Sequence, residues 1–151
     1  MAGERLDFGN VPLADALRAL GPAGLKAVAA VAAQLAVADT GLADPRLDPA
    51  LAALDTGGSA SQAGREAVET LIRELDEVYL TLASERDAAT PASAVEFASF
   101  VRARAAHSVW FALDPDPHTA AFEAVYESVT ALSGDSDKLL TALRPFLPEW
   151  R

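Results

Sequence analysis

The stretch PAGLKAVAAVAAQLAVADTG, residues 22–41, decides the fold class of this protein. It begins with a proline, which is favoured in the first turn of a helix, and it ends with a glycine, which commonly terminates one. Between this proline and this glycine, alanine, valine and leucine cover almost the whole circumference of the predicted helix. Gln34 is the one polar side chain in the middle of the run. A helix that is apolar all round is typical of the centre of a helical bundle, and Gln34 must find a hydrogen-bond partner there.

The sequence on both sides of this stretch also has helical periodicity, with capping residues or prolines at the breaks. Asn10 is the predicted cap of the first helix, Asp135 is that of the last, and Gly134 is expected to end the helix before it. With residues 22–38, the predicted helices cover residues 11–20, 49–55, 60–87, 91–112, 117–133 and 136–144. No alternating β-branched run of strand length occurs. The sequence therefore predicts an all-α, single-domain helical bundle of about six to seven helices.

Within this bundle, residues 91–112 and 117–133 are predicted to form a C-terminal helical hairpin, with Thr90-Pro91 and Asp116-Pro117 as the two caps. The 151 residues are a usual size for one domain, so we assign residues 1–151 to a single unit. The segment DTGGSAS, near residues 55–61, is predicted to be a flexible joint. Residues 145–151 form a proline-containing tail that is expected to fold back on the bundle.

The composition restricts the classes of partner and chemistry. Lysine and arginine total 12 against 22 acidic residues, which gives a net charge of 12 − 22 = −10. A field of this sign repels nucleic acid and favours a protein partner with a basic surface. The chain has no cysteine, which excludes disulfides and thiolate chemistry within it and is typical of a cytoplasmic protein.

The sequence gives no expectation of a membrane association. The opening MAGERLDFGN carries Glu4 and Asp7 and lacks an apolar run, so we expect no signal peptide there. The apolar residues 27–38 are fewer than the roughly 18 that a membrane-spanning helix requires. We therefore expect a cytoplasmic protein.

The two histidines bound the segment HSVWFALDPDPH, residues 107–118. Each of the prolines in DPDP prevents helix continuation, and an aspartate before a proline caps the following helix. The backbone chemistry of a turn thus explains Asp114 and Asp116, and His118 is expected to face solvent. The histidines lack a partner at helical spacing and no Glu-x-x-His is present, so we expect neither a metal nor another cofactor.

On the helix before this turn, Phe100, Arg104, His107 and Phe111 share one face. If the two hairpin helices are antiparallel, His107 lies near Phe122 and Glu123, and Arg104 lies near Tyr126 and Glu127. One interpretation is a ligand-binding site or a His–Glu acid/base couple. The other, which we favour, is a structural seam in which inward charges are paired because an unpaired buried charge is costly. The candidate seam residues are Arg104, His107, Phe100, Phe111 and Tyr126.

No lysine or arginine occurs from residue 105 to residue 137, although acidic residues are frequent there. This stretch, whose charged residues are acidic, is a candidate surface for fast, electrostatically steered binding of a basic protein. The candidate partner-binding residues are Asp114, Asp116, Glu123, Glu127, Asp135 and Asp137.

The sequence favours a small, acidic, non-catalytic protein-binding module, most concretely an inhibitor of a basic partner in the manner of bacterial immunity proteins and antitoxins. Two alternatives stay open. One is a helical pocket for a small apolar ligand near Arg104 and His107. The other is a structural subunit that forms a homodimer through the alanine-rich helix. Catalysis by His107 with Glu123 is the weakest hypothesis, because no catalytic motif accompanies these residues.

Overall fold

The computed structural model describes residues 11–57, 59–133 and 135–148. These residues form seven α-helices and two short 3₁₀ turns and contain no strand, which confirms the predicted all-α bundle. The helices are α1 (Val11–Arg18), α2 (Pro22–Thr40), α3 (Asp48–Thr56), α4 (Gln62–Glu85), α5 (Ala94–Ala112), α6 (Pro117–Ala131) and α7 (Ser136–Leu143). The 3₁₀ turns are Pro45–Leu47 and Arg144–Phe146.

Helix α2 occupies the centre of the bundle, as its composition predicts. Its buried residues divide between two apolar clusters: Ala29 and Ala33 pack with residues of α4 and α5, whereas Val28 and Ala32 pack with residues of α1, α6 and α7. Gln34 finds its partner outside the core, where its amide nitrogen donates to the carboxylate of Asp55. Helix α2 is also the one described helix that is long and apolar enough to cross a membrane by length and composition.

Small side chains allow the central helices to approach closely, and two buried serines join them. The Ser108 hydroxyl on α5 donates to the carbonyl of Ala124 on α6 over 2.8 Å. The Ser128 hydroxyl on α6 donates to the carbonyl of Ala32 on α2 over 3.0 Å. Each bond gives a serine hydroxyl a hydrogen-bond partner in a place that water does not reach. The predicted C-terminal hairpin is therefore bonded internally and to α2.

Helix α5 begins at Ala94, three residues later than predicted. Ser93, not Thr90, caps it, because the Ser93 hydroxyl accepts the backbone N–H of Glu96 over 3.1 Å. Thr90 instead belongs to a turn in which its N–H donates to the carbonyl of Asp87. The predicted cap of α6 is confirmed: Asp116 accepts the N–H of Thr119 over 2.9 Å.

The remaining predicted ends agree less closely with the structure. Asp135 stands before α7, but its side chain makes no capping hydrogen bond. Asn10 and Gly134 lie outside the described residues. In the predicted joint, α3 ends at Thr56 and Gly57 adopts a positive φ of 68°, a conformation that favours glycine. In the tail, Leu147 is buried against the bundle.

One end of the α4–α5 hairpin projects from this core. Within residues 73–100, which we call the distal end, Glu96 is the one buried residue. Its carboxylate accepts a hydrogen bond from Arg86 over 2.8 Å, which compensates the buried charge. The buried residues of α4 all lie before this segment, at Gly64, Val68, Leu71 and Ile72. The distal end is therefore a pair of helices covered mainly by each other.

Candidate functional site

Arg104 and Glu127 form the centre of the predicted polar seam. The antiparallel hairpin brings Nη1 of Arg104 to 3.3 Å from Oε2 of Glu127, as predicted from the level of the two residues. Glu127 is 1% exposed, whereas the Arg104 side chain is 23% exposed. The pair thus connects a buried carboxylate to a guanidinium that reaches the surface.

A third helix contributes a carboxylate that the sequence did not indicate. Asp76 on α4 contacts Nη2 of Arg104 through Oδ1 at 3.3 Å and Nε2 of His107 through Oδ2 at 3.0 Å. The carboxylate that bonds the His107 ring is thus that of Asp76, a partner that the prediction missed. Glu123, the predicted partner, lines the same cleft as His107. Nothing local in the sequence reveals the contact between Asp76 and His107, because 31 residues separate them.

Aromatic rings border this charged group on one side. The ring of Phe100 lies 5.1 Å from that of Tyr79, and the guanidinium of Arg104 lies 5.8 Å from the Phe100 centroid. Phe111 meets Trp110 edge to face, with the ring centroids 5.3 Å apart. Tyr126 packs against the cluster of α1, α6 and α7. The aromatic residues are therefore distributed over several contacts and do not form one enclosed pocket.

Two shallow clefts flank His107 and Phe111, which line both of them. The cleft between α4 and α5 measures about 360 Å³ and is completed by Glu69, Ile72, Arg73 and Trp110. The cleft between α5 and α6 measures about 460 Å³ and is completed by Arg104, Thr119, Glu123 and Glu127. Among the described residues, two buried side-chain nitrogens lack a hydrogen-bond partner: Nε of Arg104 and Nε1 of Trp110.

The candidate acidic surface loses one of its predicted members. Glu127 is buried and paired with Arg104, so it belongs to the seam and presents no charge to a partner. Asp116, Asp135 and Asp137 are exposed, and Asp114 and Glu123 are partly exposed. The sequence placed Glu127 both in the seam and on the acidic surface, and its burial beside Arg104 leaves only the first assignment.

The turn between α5 and α6 is more elaborate than a simple break. The Asp114 carboxylate accepts the N–H of Asp116 over 2.9 Å. Hydrogen bonds from the hydroxyl and the N–H of Thr119 hold the pKa of Asp116 below its usual value. His118, expected to face solvent, is half-buried and stacks on Phe122 with the ring centroids 4.2 Å apart.

Large apolar side chains are exposed at the distal end of the α4–α5 hairpin. Val78 is 51% exposed, Leu80 61%, Val95 66% and Phe97 50%. Phe97 lies near the start of α5, where less of the bundle covers it. Nothing in the sequence indicates that these side chains are exposed, because a helical apolar pattern does not reveal whether a partner helix is present.

The described residues contain no group of three or more histidine, cysteine, aspartate or glutamate side chains that could hold a metal ion. Comparisons of the chain with models of protein families, with curated proteins and with solved structures found no match.

Proposed function

We propose that this protein is a non-catalytic binding module for a partner protein with a basic surface, in the manner of an immunity protein or antitoxin. The observation that carries the proposal is the exposure of four large apolar side chains, Val78, Leu80, Val95 and Phe97, among carboxylates at the distal end of the α4–α5 hairpin. Exposed apolar side chains with a polar rim are typical of protein interaction sites.

The acidic surround comes from the same two helices and the loop between them. Glu77 precedes Val78 in α4, and Glu85 and Asp87 follow at its end; all three carboxylates are exposed and make no ion pair within the described part of the chain. Because an interface is stabilised by complementary charge, these carboxylates favour a partner that carries lysine and arginine around an apolar contact.

The acidic residues around α6 supply a second element of the proposal. Asp116 and Asp137 are exposed and form no direct ion pair within the described residues, although His118 and Lys26 attract the Asp116 carboxylate. A field of this sign steers a basic partner toward the protein before the apolar contact forms. We further propose a cytoplasmic location, which the absence of cysteine supports.

A defined probe tests the proposal. The probe is a fluorescent amphipathic helical peptide of leucine and lysine, about 18 residues long, and its control replaces each lysine with glutamate. We expect anisotropy titrations to show binding of the lysine peptide that weakens between low and physiological salt, because the rim contacts are screened. Equal binding of the glutamate peptide, or no binding of the lysine peptide, would refute a basic partner.

A pair of variants locates the surface. Leu80→Asp introduces one negative charge at the distal end, whereas Ala63→Asp introduces the same charge at the exposed start of α4. If the apolar contact provides the affinity, Leu80→Asp raises the Kd by about tenfold and the control leaves it within a factor of about two. Similar effects of both variants would show that charge alone attracts the peptide.

The alternative of a pocket beside Arg104 and His107 is favoured by one specific observation, the unpartnered indole N–H of Trp110 at the cleft between α4 and α5. Native mass spectrometry of the purified chain separates the proposals. A bound organic mass that is lost on denaturation supports the pocket. A homodimer that Leu80→Asp dissociates assigns the distal end to a second copy and overturns the basic partner.

A further inference from the structure

A separate recess lies at the opposite end of α5 from the exposed apolar group. It measures about 220 Å³ and is formed by α2, the end of α3, the start of α4 and the turn after α5. Small or apolar residues provide most of its wall: Ala30, Ala53, Leu54, Ala60, Ala112 and Leu113. Two cations, Lys26 and Arg65, line the same recess.

These two cations are partly buried without an ion pair, whereas the described arginines that also form none, Arg73, Arg102 and Arg144, are exposed. Arg18, Arg46, Arg86, Arg104 and Lys138 each form an ion pair with a carboxylate. Lys26 instead donates to the carbonyl oxygen of Asp114, and Nη1 of Arg65 donates to the carbonyl oxygen of Leu113 over 3.3 Å. Neither makes an ion pair within the described residues. In a chain of net charge −10, two cations without a direct ion pair thus converge on one recess, although Lys26 lies near enough to the Asp116 carboxylate to help lower its pKa, after the hydrogen bonds from Thr119.

Both cations keep donors for a further acceptor. An ammonium has three N–H donors and a guanidinium has five, and the hydrogen bonds to the carbonyls of Asp114 and Leu113 use one on each. Arg65 also lies over the ring of Trp110, 5.5 Å from its centroid, which holds the guanidinium beside the recess. An anion between Lys26 and Arg65 would accept charge-assisted hydrogen bonds from the donors that the two carbonyls leave unused.

We propose that this recess binds a small organic monocarboxylate, with the carboxylate between Lys26 and Arg65 and the apolar body against the alanines and Leu54. The size of the recess sets the class of ligand. An apolar cavity of about 150 Å³ takes up benzene, so a recess of about 220 Å³ has room for a six-carbon ring or short chain with its carboxylate. Benzoate and hexanoate are therefore suitable probes.

Trp110 gives the binding a direct signal. The second tryptophan, Trp150, is replaced in a Trp150→Phe background, so that the emission reports the ring under Arg65 alone. We expect a saturable change in emission with benzoate, confirmed by calorimetry. Benzamide, which lacks the charge, and acetate, which lacks the apolar body, should each bind at least about tenfold more weakly. Equal binding of benzamide would overturn the role of the two cations.

The variants Lys26→Gln and Arg65→Gln remove one charge each and should raise the Kd of benzoate by about tenfold or more. Arg73→Gln is the matched control, because Arg73 lies on the same helix, is exposed and does not line the recess. A benzoate Kd that is unchanged in Arg65→Gln would contradict the proposal. So would a wild-type protein that does not bind benzoate at about 10 mM, a concentration that nearly saturates a site with a Kd of about 1 mM.

The structural alternative is that Lys26 and Arg65 only cap the carbonyls at the end of α5, where a helix leaves acceptors unsatisfied. The charge variants could therefore lose benzoate binding simply because they unfold. The variant Ala30→Leu avoids this ambiguity, because it fills the recess and keeps both cations. We expect this variant to fold and to lose benzoate binding. Retained binding in Ala30→Leu would place the ligand elsewhere, and neither result depends on the peptide experiments at the distal end.

Discussion

At the scale of single residues, Arg104 is the charged partner of the buried Glu127. Glu127 is 1% exposed and its Oε2 lies 3.3 Å from Nη1 of Arg104, while Asp76 contacts the other terminal nitrogen of the same guanidinium. Removing one member of a buried ion pair leaves an uncompensated charge, which costs more than the pair itself provides. Arg104 is therefore a structural residue first, whatever the flanking clefts bind.

Arg104→Ala should lower the free energy of unfolding by about 3–5 kcal/mol, because Glu127 loses its charged partner in a buried position. The exposed Arg102 lies two residues earlier on the same helix, and Arg102→Ala should stay within about 0.5 kcal/mol of the wild type. Urea unfolding at pH 7 measures both variants. An Arg104→Ala protein as stable as Arg102→Ala would indicate that the seam exists for a ligand or partner.

Asp116 provides a pH test of a helix cap. The hydroxyl and N–H of Thr119 lower its pKa in the folded state, so the ionised carboxylate stabilises the folded state. This contribution is complete above the pKa of an unfolded aspartate, about 4, and is lost as the pH falls through the lower folded value. Asp116→Ala should therefore lower the urea midpoint at pH 7, and the difference from the wild type should shrink below about pH 4.

Thr119→Val removes the hydroxyl donor and is the companion variant for this measurement. In this variant the stability that ionised Asp116 provides should depend less on pH, while the backbone N–H of Thr119 still donates to Asp116. A difference between wild type and Asp116→Ala that grows as the solution is acidified would contradict the assignment of the cap.

At the scale of elements, the start of α5 shows how a local signal can be misplaced. Thr90-Pro91 is the predicted helix start, but Glu96 lies three positions after Ser93, which is the spacing of a capping box. The Ser93 hydroxyl does accept the N–H of Glu96, but the Glu96 carboxylate bonds Arg86 from the preceding loop. The helix therefore starts where the Ser93 cap and the contact between Glu96 and Arg86 occur together.

Ser93→Ala should destabilise the protein by about 0.5–2 kcal/mol, the usual cost of losing a side-chain cap. Thr90→Ala, at the position that the sequence favoured, should change the stability by no more than about 0.5 kcal/mol. Hydrogen exchange of the first turn of α5 supplies a local readout and should accelerate in Ser93→Ala alone. Faster exchange in Thr90→Ala would restore Thr90 as the cap.

At the scale of the whole molecule, α2 and α6 join two apolar clusters. Ala33 and Ala124 belong to the cluster with α4 and α5, while Val28 and Phe122 belong to the cluster with α1 and α7. Because the same two helices contribute to both clusters, neither cluster can come apart without exposing apolar surface of the other. This arrangement favours a single cooperative unit, as the length of the chain predicts.

Scanning calorimetry should therefore show one transition, with calorimetric and van't Hoff enthalpies that agree. For 151 residues, the heat capacity change should be about 2 kcal/mol/K, at 12–15 cal/mol/K per residue. Two resolved transitions would show that the clusters unfold separately. Leu80→Asp, at the exposed distal end, should leave the number of transitions unchanged.

By itself, the sequence determined the helices, their approximate order and the pairing of Arg104 with Glu127. Helical periodicity and proline–glycine punctuation are local signals, and a tight turn sets which residues of two antiparallel helices lie level. Only the tertiary structure decided the contact of Asp76 with His107, the burial of Glu127, the exposure of Leu80 and the convergence of Lys26 and Arg65. These features depend on how one helix is rotated and placed against another, and side-chain packing over the whole bundle sets that rotation.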